Sequence, residues 1–182
     1  MAGTPSIALV TGAASGIGAS VARLLAAGGA RVLCVDVDAE RLAHVVAGLD
    51  SAVAIALDLS DPDAVADLVA SGMLGARIDQ VALCAGVYAP TPAETFDLAA
   101  YHRVVDVNLT GALQLLTGIV PLLRASSAPR VVTISSIHAA VGEAGSTAYA
   151  VSKAGLVAAT RELAVELAPA GILVNSVAPG FV

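Results

Sequence analysis

Tyr149 and Lys153 stand four residues apart in YAVSK, and Lys153 is the only lysine in a chain whose other basic side chains, eight of nine, are arginines. In a helix beginning near Thr147, residues i and i+4 share one face, which would set a phenol beside a compact ammonium. Free phenol ionises near pH 10 and is a weak base at neutral pH; a fixed positive charge beside it favours the phenolate and makes it a proton acceptor. Taken alone, such a pair is also ordinary content for a solvated helix face. A second group lies far upstream. In ALVTGAASGIGAS, Gly12, Gly16 and Gly18 follow one apolar run and open a helical one. In that setting glycines permit a tight turn, close approach of backbone to a diphosphate, and close packing of helix on sheet. The anion would meet unpaired N–H groups at the helix N-terminus. Taken alone, a glycine-rich turn is also a common strand-to-helix connection.

Asp36 closes the next apolar run, 18 residues beyond Gly18, where an acid can accept hydrogen bonds from an adenosine ribose. An ionised carboxylate there repels a 2′-phosphate. Ser15 and Val37 supply no arginine to offset that repulsion, so the residues favour NAD over NADP. Arg41, one helical turn on, is the side chain that could weaken this preference.

These residues need elements to hold them. Residues 6–11, 30–36, 52–58, 80–86, 129–136 and 171–178 are short, β-branched and nearly continuous in apolar side chains, as strands buried on both faces are. Helical segments are predicted between them at about 16–28, 38–48, 61–71, 98–124 and 147–168, the third opened by Asp61 as N-cap with Pro62 at N1. Strict alternation predicts an α/β fold: a doubly wound parallel sheet in a three-layer α/β/α arrangement. A length of 182 residues suits one domain, 1–182, with no linker, repeat or low-complexity run.

Composition narrows the function classes. A net charge of -6 with scattered basic residues leaves no nucleic-acid footprint. The most membrane-like stretch, 107–123, is interrupted by Asn108, Thr110, Gln114, Thr117 and Pro121 and reads as a buried helix. The first residues, MAGTPSIALVTG, lack the basic region of a signal peptide. Cys34 and Cys84 are too few for a metal cluster and read as buried thiols in a reducing cytoplasm, so no metal is expected.

Thr-Gly-x-x-x-Gly-Ile-Gly at 11–18 together with Tyr-x-x-x-Lys at 149–153 resembles the short-chain dehydrogenase/reductase family over the whole chain. The resemblance implies a Rossmann-type fold with six strands present and a seventh expected beyond Val182, together with a further helix and a substrate-covering loop. It implies a catalytic set of Asn108, Ser136, Tyr149 and Lys153, Ser136 lying thirteen residues before the tyrosine. Tyr149 would exchange a proton with the substrate oxygen, Ser136 would hydrogen-bond that oxygen, Lys153 would hold the nicotinamide ribose, and Asn108 would anchor a water leading to solvent. The cofactor contacts implied are Gly12, Ser15, Gly16, Ile17, Gly18 and Asp36 in the first half-site. Asp58 and Leu59 follow after the third strand, Ala85 and Gly86 after the fourth, and Tyr149, Lys153, Pro179, Gly180 and Val182 toward the nicotinamide.

The activity implied is hydride transfer between NAD(H) and a secondary alcohol or ketone. The alternatives are a non-catalytic dinucleotide-binding fragment or module, and an NADP-dependent ketoreductase such as a 3-oxoacyl thioester reductase. A homodimer or homotetramer through helices 98–124 and 147–168 is also implied. Leu83-Cys84-Ala85-Gly86 stands where many members carry Asn-Asn-Ala-Gly, which predicts a local loss of stability. The family's strand order would separate the two cysteines by two strand spacings, about 9.6 Å, too far for a disulfide. His138, two residues beyond Ser136, could line the pocket mouth but reads as a solvent-facing loop histidine with no catalytic role, and Tyr88 as a residue that either packs or touches substrate.

Overall fold

A computed structural model describes residues 5–180. Its centre is a six-stranded sheet in the order β3-β2-β1-β4-β5-β6, built from Ile7–Thr11 (β1), Arg31–Asp36 (β2), Ala52–Ala56 (β3), Gln80–Leu83 (β4), Arg130–Ile134 (β5) and Leu173–Val177 (β6). Every pairing is parallel. The chain runs outward from β1 to β3, returns to β4 on the other side of β1, and runs outward again. Beyond the carboxyl ends of β1 and β4 this reversal leaves a crevice, the usual ligand position in an open α/β sheet.

Alternate side chains of each strand feed two cores. On one face Ala8, Val10, Val32 and Cys34 pack with Ala22 and Leu42, which come from the helices Gly16–Ala27 (α1) and Ala39–Ala47 (α2). On the other, Leu9, Leu33, Val81 and Val131 pack with Val65, Leu68, Leu115 and Leu116. These come from helix Pro62–Ala70 (α3) and the long helical stretch that opens with Leu98–Val105 (α4). Thr147–Leu167 (α7, after two short helices described next) closes that layer, with Leu167 in the same core. Asp61 caps α3 as its sequence predicts: its carboxylate accepts from the N–H groups of Asp63 and Ala64 at 3.0 and 3.1 Å, with Pro62 in the first turn.

The single helix expected over 98–124 is broken. After α4 the chain widens into a π-helical turn over Asp106–Gly111, continues as Ala112–Gly118 (α5), breaks at Ile119, and restarts as Val120–Arg124 (α6). Pro121 accounts for the second interruption, because proline has no N–H for the ladder. At the first, a side chain on Gly111 would put its Cβ 1.9 Å from the Leu59 carbonyl oxygen, so the helix rides directly on the backbone after β3. No helix among the described residues is long and apolar enough to cross a membrane.

The strands are also shorter than predicted. β4 ends at Leu83 and β5 at Ile134, so Cys84–Gly86 and Ser135–Ser136 lie in the loops just past the carboxyl ends. The ends of these loops, rather than the strands, carry the candidate chemistry.

Candidate functional site

The glycine turn follows β1 directly. Gly12 and Gly16 have φ of 66° and 50°, the left-handed region in which a side chain is strained. Gly18 has another reason to be glycine: a Cβ there would fall 2.1 Å from the Gly12 carbonyl oxygen. A Cβ on Gly12 would likewise lie 2.8 Å from the Ala85 backbone, so this turn and the loop after β4 are in backbone contact. Thr11 ties them, its Oγ1 accepting from the N–H groups of both Cys84 and Ala85 at 3.1 Å. That bond gives the Leu83-Cys84-Ala85-Gly86 stretch a side-chain anchor from β1.

Asp36 braces the same turn from the end of β2. One carboxylate oxygen accepts from Ala14 N–H at 2.9 Å and the other from Asp38 N–H at 3.0 Å. Arg41 is engaged elsewhere, with Nε 3.4 Å from the Asp38 carboxylate. After β3, Asp58 accepts from the Ser60 hydroxyl at 2.7 Å and its N–H at 2.8 Å. Those bonds hold its carboxyl below the usual carboxylate range against the opposing effect of burial, with the Arg103 charge adding to them.

Between these segments lies a cavity of about 350 Å³. The glycine turn supplies Gly12, Ser15, Gly16, Ile17 and Gly18 to its wall, Asp36 closes one side, and Asp58 with Leu59 another. Ala85 and Gly86 form its inner end. Arg103 and Val107 also line it, and neither was singled out in the sequence, although their i, i+4 spacing puts them on one helix face. Backbone packs closely at Gly12 and Gly18, where a Cβ would clash, Asp36 and Asp58 each bring a carboxylate to the wall, and Arg103 brings a positive charge. Such a cradle fits the diphosphate and ribose of a dinucleotide.

Gly86 joins this cavity to a second group. A Cβ on it would lie 3.2 Å from Lys153 Nζ and 3.4 Å from Asn108 Oδ1. Asn108 is fully buried in the π-helical turn. Its Oδ1 accepts from Val87 N–H at 2.7 Å, and its Nδ2 donates to Val87 O at 2.9 Å and to Ser152 Oγ at 3.1 Å. Both amide protons are therefore taken by protein, leaving one Oδ1 lone pair for any water.

Lys153, 3% exposed, donates from Nζ to the Ile134 carbonyl at 2.8 Å, which leaves two of its protons for other partners. Burial pulls its pKa down to about 8, partly countered by Cys84. Burial pushes the Cys84 thiol up to about 11, with Lys153 opposing. Cys34 is likewise raised to about 11 by burial, and both thiols are free. The ammonium sits 5.7 Å from the Tyr149 ring centroid, so the face shared by positions i and i+4 points inward rather than to solvent.

Ser136 caps a short turn, Ile137–Ala139, and is 7% exposed. Ile137 N–H donates to Pro179 O at 3.0 Å, tying this turn to the segment after β6. Gly180 beyond it is exposed, and Val182 lies outside the described residues. Tyr149 is ringed by aromatic neighbours: Tyr88 at 5.7 Å and His138 at 5.6 Å between centroids, both edge-on.

His138 corrects its sequence reading. It is not a solvent-facing loop residue: its side chain is 15% exposed, because the turn after Ser136 folds the ring back between Ser136 and Tyr149. Glu143, five residues on, meets its outer nitrogen. Glu143 had no signal in the sequence, since a loop carries no periodicity.

Among the described residues no group of three or more His, Cys, Asp or Glu side chains could hold a metal ion. A model of the short chain dehydrogenase family matches residues 6–182. Cis-4-hydroxycyclohexanecarboxylate dehydrogenase of Sinomonas cyclohexanicum is 42% identical over 182 residues, covering 96% of this chain and 72% of the relative. The NAD(+) 2-dehydro-3-deoxy-L-rhamnonate dehydrogenase of a Sphingomonas species is 36% identical over 176 residues, covering 94% and 70%. The crystal structure of a short chain dehydrogenase from Mycobacterium smegmatis, 28% identical, superposes with a TM-score of 0.88 over 97% of this chain and 77% of that one.

Proposed function

The chain belongs to the short-chain dehydrogenase family, and on that premise we propose that it is an NAD-dependent oxidoreductase acting on a secondary alcohol or ketone, with residues 1–182 forming one dinucleotide-binding unit. One observation carries this reading: Lys153 Nζ and Asn108 Oδ1 border Gly86 at the inner end of the glycine-lined cavity, with the Tyr149 ring next to the ammonium. The dinucleotide, when bound, supplies the hydride acceptor or donor.

The chain supplies the rest. Gly12, Ser15, Gly16, Ile17 and Gly18 would hold the diphosphate, Asp36 the adenosine ribose, and Asp58 with Leu59 the adenine. Ala85, Gly86, Pro179 and Gly180 would border the nicotinamide end, where two Lys153 protons remain for ribose hydroxyls. Tyr149 takes the proton from an alcohol oxygen, or returns it to a carbonyl oxygen, from its phenolic oxygen. The Lys153 ammonium, predominant below its pKa of about 8, favours the phenolate that this exchange needs. Ser136 Oγ hydrogen-bonds the same substrate oxygen and aligns it. Asn108, clamped to Val87 and Ser152, keeps the π-helical turn against Gly86 and Lys153. Preference for NAD rests on Asp36, with Arg41 Nε lying 3.4 Å from the Asp38 carboxylate.

The proposal extends to a cytoplasmic homodimer or homotetramer through α4–α6 and α7, supported by Leu98, Val151 and Val165, which are 60%, 43% and 77% exposed. Fluorescence titration with NADH and NADPH, followed by turnover of cis-4-hydroxycyclohexanecarboxylate and 3-hydroxybutyrate with NAD, tests the reading. NADH binding tighter than NADPH, with turnover of a hydroxy acid, supports it; binding of neither dinucleotide refutes it.

A further inference from the structure

Ser136 is held in a polar chain that the proton exchange at Tyr149 does not use. Its Oγ lies 3.1 Å from His138 Nδ1 and accepts from the His138 backbone N–H at 3.2 Å. The other ring nitrogen, Nε2, is hydrogen-bonded to Glu143 Oε2. The same carboxylate oxygen accepts from Ser146 Oγ at 3.1 Å, and Ser146 Oγ meets the Tyr88 hydroxyl at 3.3 Å. The titratable and charged groups about the imidazole include Glu143 from its own loop, Tyr149 of α7 edge-on at 5.6 Å, Tyr88 through Ser146, and Lys153 beside the Tyr149 ring.

Counting protons decides who donates. An ionised carboxylate only accepts, so the Nε2 that meets Glu143 carries a proton. The hydrogen bond from His138, then that from Ser146, holds Glu143 below the usual carboxylate range and so in its accepting form. A neutral imidazole has one N–H. With that proton on Nε2, Nδ1 must accept, and the Ser136 hydroxyl is the donor that faces it. An imidazolium has two, so Nδ1 donates to Oγ and the serine proton is released.

Resting on the oxidoreductase reading above, we propose that His138 and Glu143 are positioning residues that set the hydrogen-bond polarity of Ser136. With His138 neutral, the Ser136 O–H is engaged as a donor to Nδ1 and withheld from substrate. With His138 protonated, Nδ1 donates to Oγ and the Ser136 O–H is left to donate to the substrate oxygen, a carbonyl or an alcohol whose own proton goes to Tyr149. Oxidation releases a proton, so the equilibrium shifts with pH whatever His138 does, and the ratio of kcat/KM in the two directions carries no signature of this device. The signature is a KM that changes in the same direction for alcohol and ketone as the imidazole changes protonation, and that His138→Phe removes.

The test has two arms on the full chain. In the first, nitrogen-15 NMR of the imidazoles reads the three histidines without any turnover, His138 being assigned by the signal lost in His138→Phe. The neutral ring is expected as the Nε2–H tautomer, with an Nδ1 resonance that moves in Ser136→Ala while His44 and His102 stay put. An Nδ1–H tautomer, or an Nδ1 resonance indifferent to Ser136→Ala, overturns the proposal whether or not the chain is an oxidoreductase.

In the second arm, KM is measured against pH for cis-4-hydroxycyclohexanecarboxylate and its ketone. As the imidazole loses its proton, the alcohol KM and the ketone KM should both rise, each by roughly tenfold, the worth of one hydrogen bond. His138→Phe should flatten both. Glu143→Gln, whose amide can donate or accept, should weaken both. Opposed KM changes, or none, in the parent protein overturn the proposal. If neither compound turns over, the oxidoreductase reading fails for that pair and the NMR result decides alone.

Discussion

Replacing Lys153 by methionine should make the fold more stable and the site inert, and the pH dependence of that gain can be worked out. Burial takes the ammonium from a pKa of 10.5 to about 8. At ~1.4 kcal/mol per pH unit, the charged side chain is disfavoured by folding by about 3 kcal/mol at pH 7. The native state then binds fewer protons than the unfolded state between pH 8 and 10.5, so this term raises stability as pH climbs through that window. Methionine removes the charge but abandons the hydrogen bond to the Ile134 carbonyl, a loss of ~1–3 kcal/mol. The net gain at pH 7 is on the order of 1 kcal/mol. Between pH 7 and pH 10 the parent should recover roughly 2–3 kcal/mol relative to Lys153→Met, equivalent to a relative Tm shift of about 5–10 °C in a chain of this size. Thermal melts of both proteins without cofactor at the two pH values provide the assay. A difference in Tm that does not change with pH would refute the claim that the lysine is held charged against its burial.

Gly111→Ala should lower the Tm, because its Cβ would sit 1.9 Å from Leu59 O, an overpacking of at least ~2 kcal/mol. Gly142→Ala, whose Cβ would meet nothing within 4 Å, should leave the Tm where it is; equal effects in the two variants would contradict the close contact. Asp36→Asn keeps an acceptor for Ala14 N–H but removes the charge. By fluorescence titration the preference for NADH over NADPH should narrow about tenfold, and an unchanged ratio would place the discrimination elsewhere.

The strands were legible because a parallel strand buried on both faces is an unbroken apolar run, and SIALVT and RVLCVD are such runs. The glycine turn was legible because its position between β1 and α1 is itself the sheet's switch point. What stayed hidden was set by contacts remote in sequence. The apolar pattern of 98–124 continues straight through the π-helical turn, whose seat on Leu59 only the folded chain reveals. Thr11 reads as a motif residue, but its grip on the Cys84 and Ala85 amides spans more than seventy positions. His138 and Glu143 share a loop, where no period announces that two side chains will meet; their partnership depends on the turn that Ser136 caps.

The central claim is that Tyr149 exchanges the substrate proton at the end of a dinucleotide cradle, and Tyr149→Phe tests it most directly. The substitution keeps the ring that packs against Tyr88 and His138 and removes only the oxygen. With a secondary alcohol that the parent oxidises, NADH affinity should stay within about twofold while kcat falls by roughly 10²–10⁴-fold, the usual worth of a positioned acid or base. A kcat within a few-fold of the parent, with cofactor binding intact, would contradict the assignment of the proton to Tyr149.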